Sequence, residues 1–187
     1  MKGELQMSVK QSLANFFKKL SKKQKSDPKI IGKGEIALED QIDKKKIEET
    51  LKDLQQGYLD KTKAQIAKMN VRDITMALRQ INTTCINEIK NVGSVKKSGD
   101  QQKITSTFAK MVIIVDKSIE YISELSKKWE TGSGGEKEAL KEVKKTPLYI
   151  KIIQNFNIAY RMVNKNSPGS LAMSPKVLWY SFMNQVK

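Results

Sequence analysis

The stretch Asp100 to Glu130, DQQKITSTFAKMVIIVDKSIEYISELSKKWE, decides the fold. Ile104, Phe108, Met111, Val115, Ile119, Ile122, Leu125 and Trp129 recur every three or four residues and form an almost unbroken core stripe. Strands rarely exceed about ten residues. The run therefore reads as one helix from about Gln101 to Glu130, with Asp100 as its N-cap. Its most apolar part, Met111 to Val115, stops at Asp116-Lys117, and no window in the chain reaches the roughly 18 apolar residues of a membrane span.

Upstream, Tyr58 to Val92 reads as a second long amphipathic helix. On a wheel of 100° per residue, Lys61, Lys68, Arg72, Arg79 and Lys90 fall in one narrow stripe, with Gln65, Thr75 and Thr83 on or beside it. Leu59, Ile66, Ile74, Ala77, Ile81, Cys85 and Val92 lie opposite. The stripe holds cations and hydrogen-bond donors and no acid, and Lys61 to Arg79 spans roughly 27 Å at about 1.5 Å per residue. Gly93 to Asp100 reads as a loop.

Downstream, Thr131-Gly-Ser-Gly-Gly135 is a clear stop with the composition of a flexible linker, and Glu136 to Lys145 is a short charged helix. Thr146-Pro147 and Ser174-Pro175 each place a capping hydroxyl before a proline at the first helical position. The first opens a helix to about Asn164. The second opens a short helix over Val177 to Val186 that is apolar nearly all round: Trp179, Tyr180 and Phe182 need cover from the body, a second copy or lipid.

Residues 1–34 carry nine lysines against Glu4 and Asp27. Val9, Leu13, Phe16, Phe17 and Leu20 define an amphipathic helix over Ser8 to Lys25, with lysines largely on the other side. The helix has three candidate partners: nucleic acid, a membrane surface reached through Phe16, Phe17 and Leu20, or a groove on another copy. Ser26-Asp27-Pro28 ends it, and Gly32-Lys33-Gly34 is a joint without the spacing of a phosphate loop. Glu35 to Gln56 is the acidic exception, read as a solvated helix face or, as the second reading, a face that meets the basic surface of a neighbouring copy. No segment reads as strand and no internal repeat is visible. The expected architecture is all-α: an extended basic N-terminal arm (1–34) with an amphipathic helix, then a body (35–187) of about five helices in a bundle.

Composition limits the chemistry. There is no histidine, and Cys85 is the lone cysteine, on the apolar side of its helix. An intramolecular disulfide is excluded, a structural zinc site is disfavoured, and the thiol reads as buried and inert. The acidic clusters lie in lysine-rich helical runs without an apolar pocket, so no catalytic residue, metal ligand or cofactor is assigned, and the chain does not read as an enzyme. No signal peptide is legible in Met1 to Leu20. What remains is charge: a net +15, with 35 basic residues of which only Arg72, Arg79 and Arg161 are arginine. Lysine meets phosphate as a mobile point charge, whereas arginine's planar fork suits base edges. Such a surface fits binding to a nucleic-acid backbone or a membrane better than reading a base sequence.

This layout, a positively charged N-terminal arm before a small all-helical body, resembles the major coat proteins of filamentous double-stranded-DNA viruses of archaea. The resemblance implies a pair of coat subunits, copies or paralogues, clasping DNA within a virion. Lys10, Lys18, Lys19, Lys22, Lys23 and Lys25 would be the arm's phosphate contacts, helical bodies would form the wall, and enveloped members add a lipid layer. Double-stranded DNA is the expected partner and RNA the second candidate. Phe16, Phe17, Trp179, Tyr180 and Phe182 are the residues expected at self-association contacts. A reading of another class stands beside it: a basic helical protein that binds anionic membranes or glycosaminoglycans.

Overall fold

A computed structural model of the protein describes residues 9–24, 49, 52 and 57–187. Among these residues there is no strand, and the fold is all-α, as expected. Seven α-helices are described: α1 (Val9–Gln24), α2 (Lys63–Ala67), α3 (Val71–Ser98), α4 (Gln101–Thr131), α5 (Gly134–Lys145), α6 (Pro147–Asn166) and α7 (Pro175–Gln185). A single 3-10 turn, Gly57–Leu59, precedes α2. Ser26-Asp27-Pro28, the Gly32–Gly34 joint, the division at residue 34 and most of the acidic run lie outside the described residues.

Helix α4 is the axis of the bundle, and every other described helix packs against it. Its sequence accounts for this. From Thr107 to Ile119 every residue except Lys110 is buried, because the consecutive apolar residues Met111 to Val115 cover all sides of the wheel. A helix apolar all round is stable only inside a core. Asp100 caps it, accepting from the backbone N–H groups of Gln102 and Lys103 at 3.1 Å each.

Helix α1 is not an arm held away from the body. Val9, Leu13, Phe16 and Phe17 are buried, and the helix packs on α4. Fully burying side chains of this size is worth about 1.5–3 kcal/mol each, which explains the packed position. The apolar face expected to meet a membrane or another copy is covered by the chain's own core. Lys19 adds a tie, its ammonium donating to the carbonyl of Pro168 in the loop between α6 and α7.

The expected single helix over Tyr58 to Val92 is also corrected: it is a turn, the short α2 and then α3. Two side chains of α4 are responsible at its start. Tyr121 Oη donates to the Tyr58 carbonyl at 2.8 Å, and Lys117 Nζ donates to the Lys61 carbonyl at 2.7 Å. Thr62 then opens α2 with a reciprocal capping box, its hydroxyl accepting from the Gln65 N–H while the Gln65 side chain accepts from the Thr62 N–H. Asn70 restarts the chain as N-cap of α3, accepting from the Asp73 N–H at 2.8 Å. At the other end, α3 runs through the expected loop to Ser98. Gly99 stops it with φ of 69°, a left-handed position that glycine adopts without strain.

The stop after α4 is tighter than a linker. Gly132 and Ser133 alone separate α4 from α5, and Ser133 forms a second capping box with Glu136. Helices α6 and α7 both begin at the expected prolines.

Candidate nucleic-acid interface

The stripe residues separate in space. Arg72, Arg79 and Lys90 lie on α3, while Lys61 and Lys68 precede its cap. Lys68, Arg72 and Lys90 are exposed, and among the described residues none of them forms an ion pair. Arg72 to Lys90 covers about 27 Å of one helix, at about 1.5 Å per residue. Lys61 is half-buried, its ammonium 5.8 Å from the centre of the Tyr58 ring.

Arg79 has a second task. Its Nη2 donates to Tyr149 Oη at 3.0 Å, and the guanidinium lies 5.5 Å from the centre of that ring. Tyr149 opens α6, so the contact clasps α6 to α3. Further along the same two helices, Asn155 Nδ2 donates to Asn82 Oδ1 at 2.9 Å, and Cys85 Sγ donates to the Asn155 carbonyl at 3.6 Å. Burial, with Glu88 nearby, pushes the Cys85 thiol up to about 12. It is therefore protonated at neutral pH and inert, as its place on the wheel implied.

The hydroxyl donors expected on the polar face turn back to their own helix. Thr75 Oγ1 donates to the Arg72 carbonyl at 2.8 Å and Thr83 Oγ1 to the Arg79 carbonyl at 3.3 Å, while Gln65 belongs to its capping box. Thr75 is buried. These groups cap or support helices rather than offering a ligand surface.

On α1, Lys10 and Lys18 are exposed and Lys19 holds Pro168. Lys22 and Lys23 lie in the last turn of the helix, and Lys25 lies outside the described residues. Helices α1 and α3 both pack on α4 but hardly on each other. Of the five aromatic side chains expected at contacts between copies, Phe16, Phe17, Trp179 and Phe182 are buried in this chain's core, and Tyr180 alone stays outside at 53% exposure. Trp179 packs between Tyr149 and Phe182, 6.1 and 5.3 Å between ring centres. The terminal helix thus takes its cover from the body.

The distribution of ion pairs is more informative than any one lysine. The pairs Lys103–Asp100, Lys117–Glu120, Lys127–Glu124, Lys128–Glu136, Lys141–Glu138 and Lys145–Glu142 all fall on α4, its cap or α5. In these pairs the acid is matched within a turn or across the α4–α5 link. From Lys144 to Lys187 the sequence has no acid. Lys151, Arg161 and Lys165 are exposed on α6, the helix clasped to α3. The sequence marks Pro147 to Lys187 as one of the stretches that carry the positive charge, without singling out these three. Among the described residues no cluster of three or more acids or thiols could hold a metal ion, and no helix is long and apolar enough to cross a membrane. Comparison with protein-family models, with curated proteins and with solved structures finds no match to this chain.

Proposed function

We propose that the protein is a structural nucleic-acid-binding protein, a viral coat or nucleocapsid subunit that sheathes double-stranded DNA without reading its sequence and assembles with other copies. The observation that carries this reading is the segregation of charge. Acids and lysines cancel on α4 and α5, whereas α3 and its neighbour α6 turn outward cations that no acid of the described residues matches. Lysine–phosphate contacts of this kind release counterions, so each neutralised phosphate steepens the salt dependence by about 0.9 in log–log slope. Contact between copies runs through the outer face of α7, where Val177 and Tyr180 are 64% and 53% exposed. The competing reading, attachment to anionic lipid or glycosaminoglycan, loses the carriers first assigned to it, since Phe16 and Phe17 are buried.

The test is binding to two duplexes of unrelated sequence over a salt series, with particle size and the 260/280 nm absorbance ratio recorded after purification in low salt. Reversing Lys68, Arg72 and Lys90 to glutamate should weaken both duplexes by the same factor, about tenfold or more at low salt, and flatten the salt slope by about 1 per lost contact. A nucleic-acid-free monomer with no salt-sensitive affinity for DNA or RNA refutes the proposal.

A further inference from the structure

The interface between α1 and α4 holds a polar fault within an otherwise apolar contact. On the α1 side, Ser12 is fully buried beside Val9, Leu13 and Phe16, and its Oγ has no hydrogen-bond partner. On the α4 side, Asp116 is 7% exposed and its Oδ2 has no partner either. The two residues face each other across the interface, close enough for the Ser12 hydroxyl to favour the ionised carboxylate. The neighbouring cation does not complete the site: Lys117 Nζ is engaged by the Lys61 carbonyl and by Glu120 Oε2, both at 2.7 Å. A buried carboxylate with an orphaned oxygen is costly when charged and tolerable when protonated.

We propose that α1 is a releasable strap, docked on α4 while Asp116 is protonated and loosened when that carboxyl ionises. Protonated, Asp116 donates to Ser12 Oγ and both orphaned atoms are satisfied. Ionised, it regains water only if α1 lifts away, taking Val9, Leu13, Phe16 and Phe17 with it and breaking the Lys19–Pro168 tie.

The charged groups acting on Asp116 are Lys63 from α2 and Lys117 and Glu120 on α4 itself, with Ser12 the facing group of α1. Desolvation outweighs the rest, and Glu120 adds to it against the two lysines, so the docked carboxyl is pushed up to about 7. With α1 lifted, the group returns toward its ordinary value of 3.8. The raised value belongs to the docked state, so docking is strongest at acid pH. It weakens from about pH 4 upward and reaches its floor above pH 7. The device does not depend on which polyanion the protein binds.

Hydrogen exchange of the full chain, corrected for the intrinsic pH dependence and read for α1 relative to α6, tests the strap. Protection of α1 should fall at least tenfold between pH 5 and pH 8 while α6 holds. In Asp116→Asn the protection of α1 should stay high at both pH values. Should that variant not fold, Ser12→Ala serves: loss of the hydroxyl raises the cost of the buried charge, so the fall in α1 protection between pH 5 and pH 8 should be larger than in the parent. Equal protection of α1 and α6 at both pH values overturns the proposal. So does an undiminished pH response in Asp116→Asn or one no larger than the parent's in Ser12→Ala.

Discussion

Arg79 shows how a residue legible as charge becomes something else in a fold. The wheel placed it correctly on the polar side of its helix and gave no sign of Tyr149, which lies 70 residues further along the chain. That partner is set by the packing of α6 on α3, a tertiary fact that periodicity does not carry. The consequence is measurable. Arg79→Ala leaves the Tyr149 hydroxyl without its partner and removes a cation over the ring. It should lower stability by about 1–2 kcal/mol in urea unfolding. Arg72→Ala, two turns earlier and exposed, should stay within about 0.5 kcal/mol of the parent. Equal effects would mean that the clasp contributes nothing. Lys117 and Tyr121 teach the same lesson. Both were read only as parts of α4, yet each reaches out to a backbone carbonyl of the preceding segment and decides where helix begins there.

At the scale of elements, the helices were mostly legible and their interruptions were not. Capping residues and proline starts placed α4, α6 and α7 to within two residues, because those signals act locally and nothing opposes them, while α1 was legible from its apolar period. The wheel failed over Tyr58 to Val92 because it averages over breaks: Leu59, Ile66 and Ile74 keep the period of a helix across a chain that stops twice. The local evidence was present in Thr62-x-x-Gln65 and in Asn70, both N-terminal cap signatures. Glycine misled in the other direction. Gly93 lies within α3 with open space around it, whereas Gly132 is required. A Cβ on Gly132 would sit 2.3 Å from the Lys128 carbonyl oxygen and 2.9 Å from Glu136 Oε2. Gly132→Ala should therefore destabilise by about 1–3 kcal/mol, seen as a lower melting temperature, and Gly93→Ala should be neutral or slightly stabilising. A tolerated alanine at 132 would show that the α4–α5 link shifts freely.

For the whole molecule, the sequence conveyed the all-α class and the surplus of charge. The position of that surplus emerged only when ion pairs could be traced to α4 and α5. The chain carries a net +15, and self-repulsion at that level opposes compaction. Its melting temperature should rise by several degrees as salt goes from about 20 to 300 mM, because screening relieves the repulsion. A flat response would mean that the surplus cations are too widely spread to matter. The site was legible to the extent that it is electrostatic: Lys68, Arg72 and Lys90 are outside, as the wheel required. The aromatic contacts were not legible, since Phe16, Phe17, Trp179 and Phe182 satisfy one another and the core within a single chain. The axial position of α4 also bears on how the protein is made. Helix α4 is synthesised before α6 and α7, so the partners of its flank are still missing while the 42 residues from Thr146 to Lys187 are added, roughly 2–8 s at about 5–20 residues per second. During that interval Met111 to Val115 is an aggregation hazard whose first available shields are α1 and α3, and the order of helices along the gene becomes part of the protein's solubility.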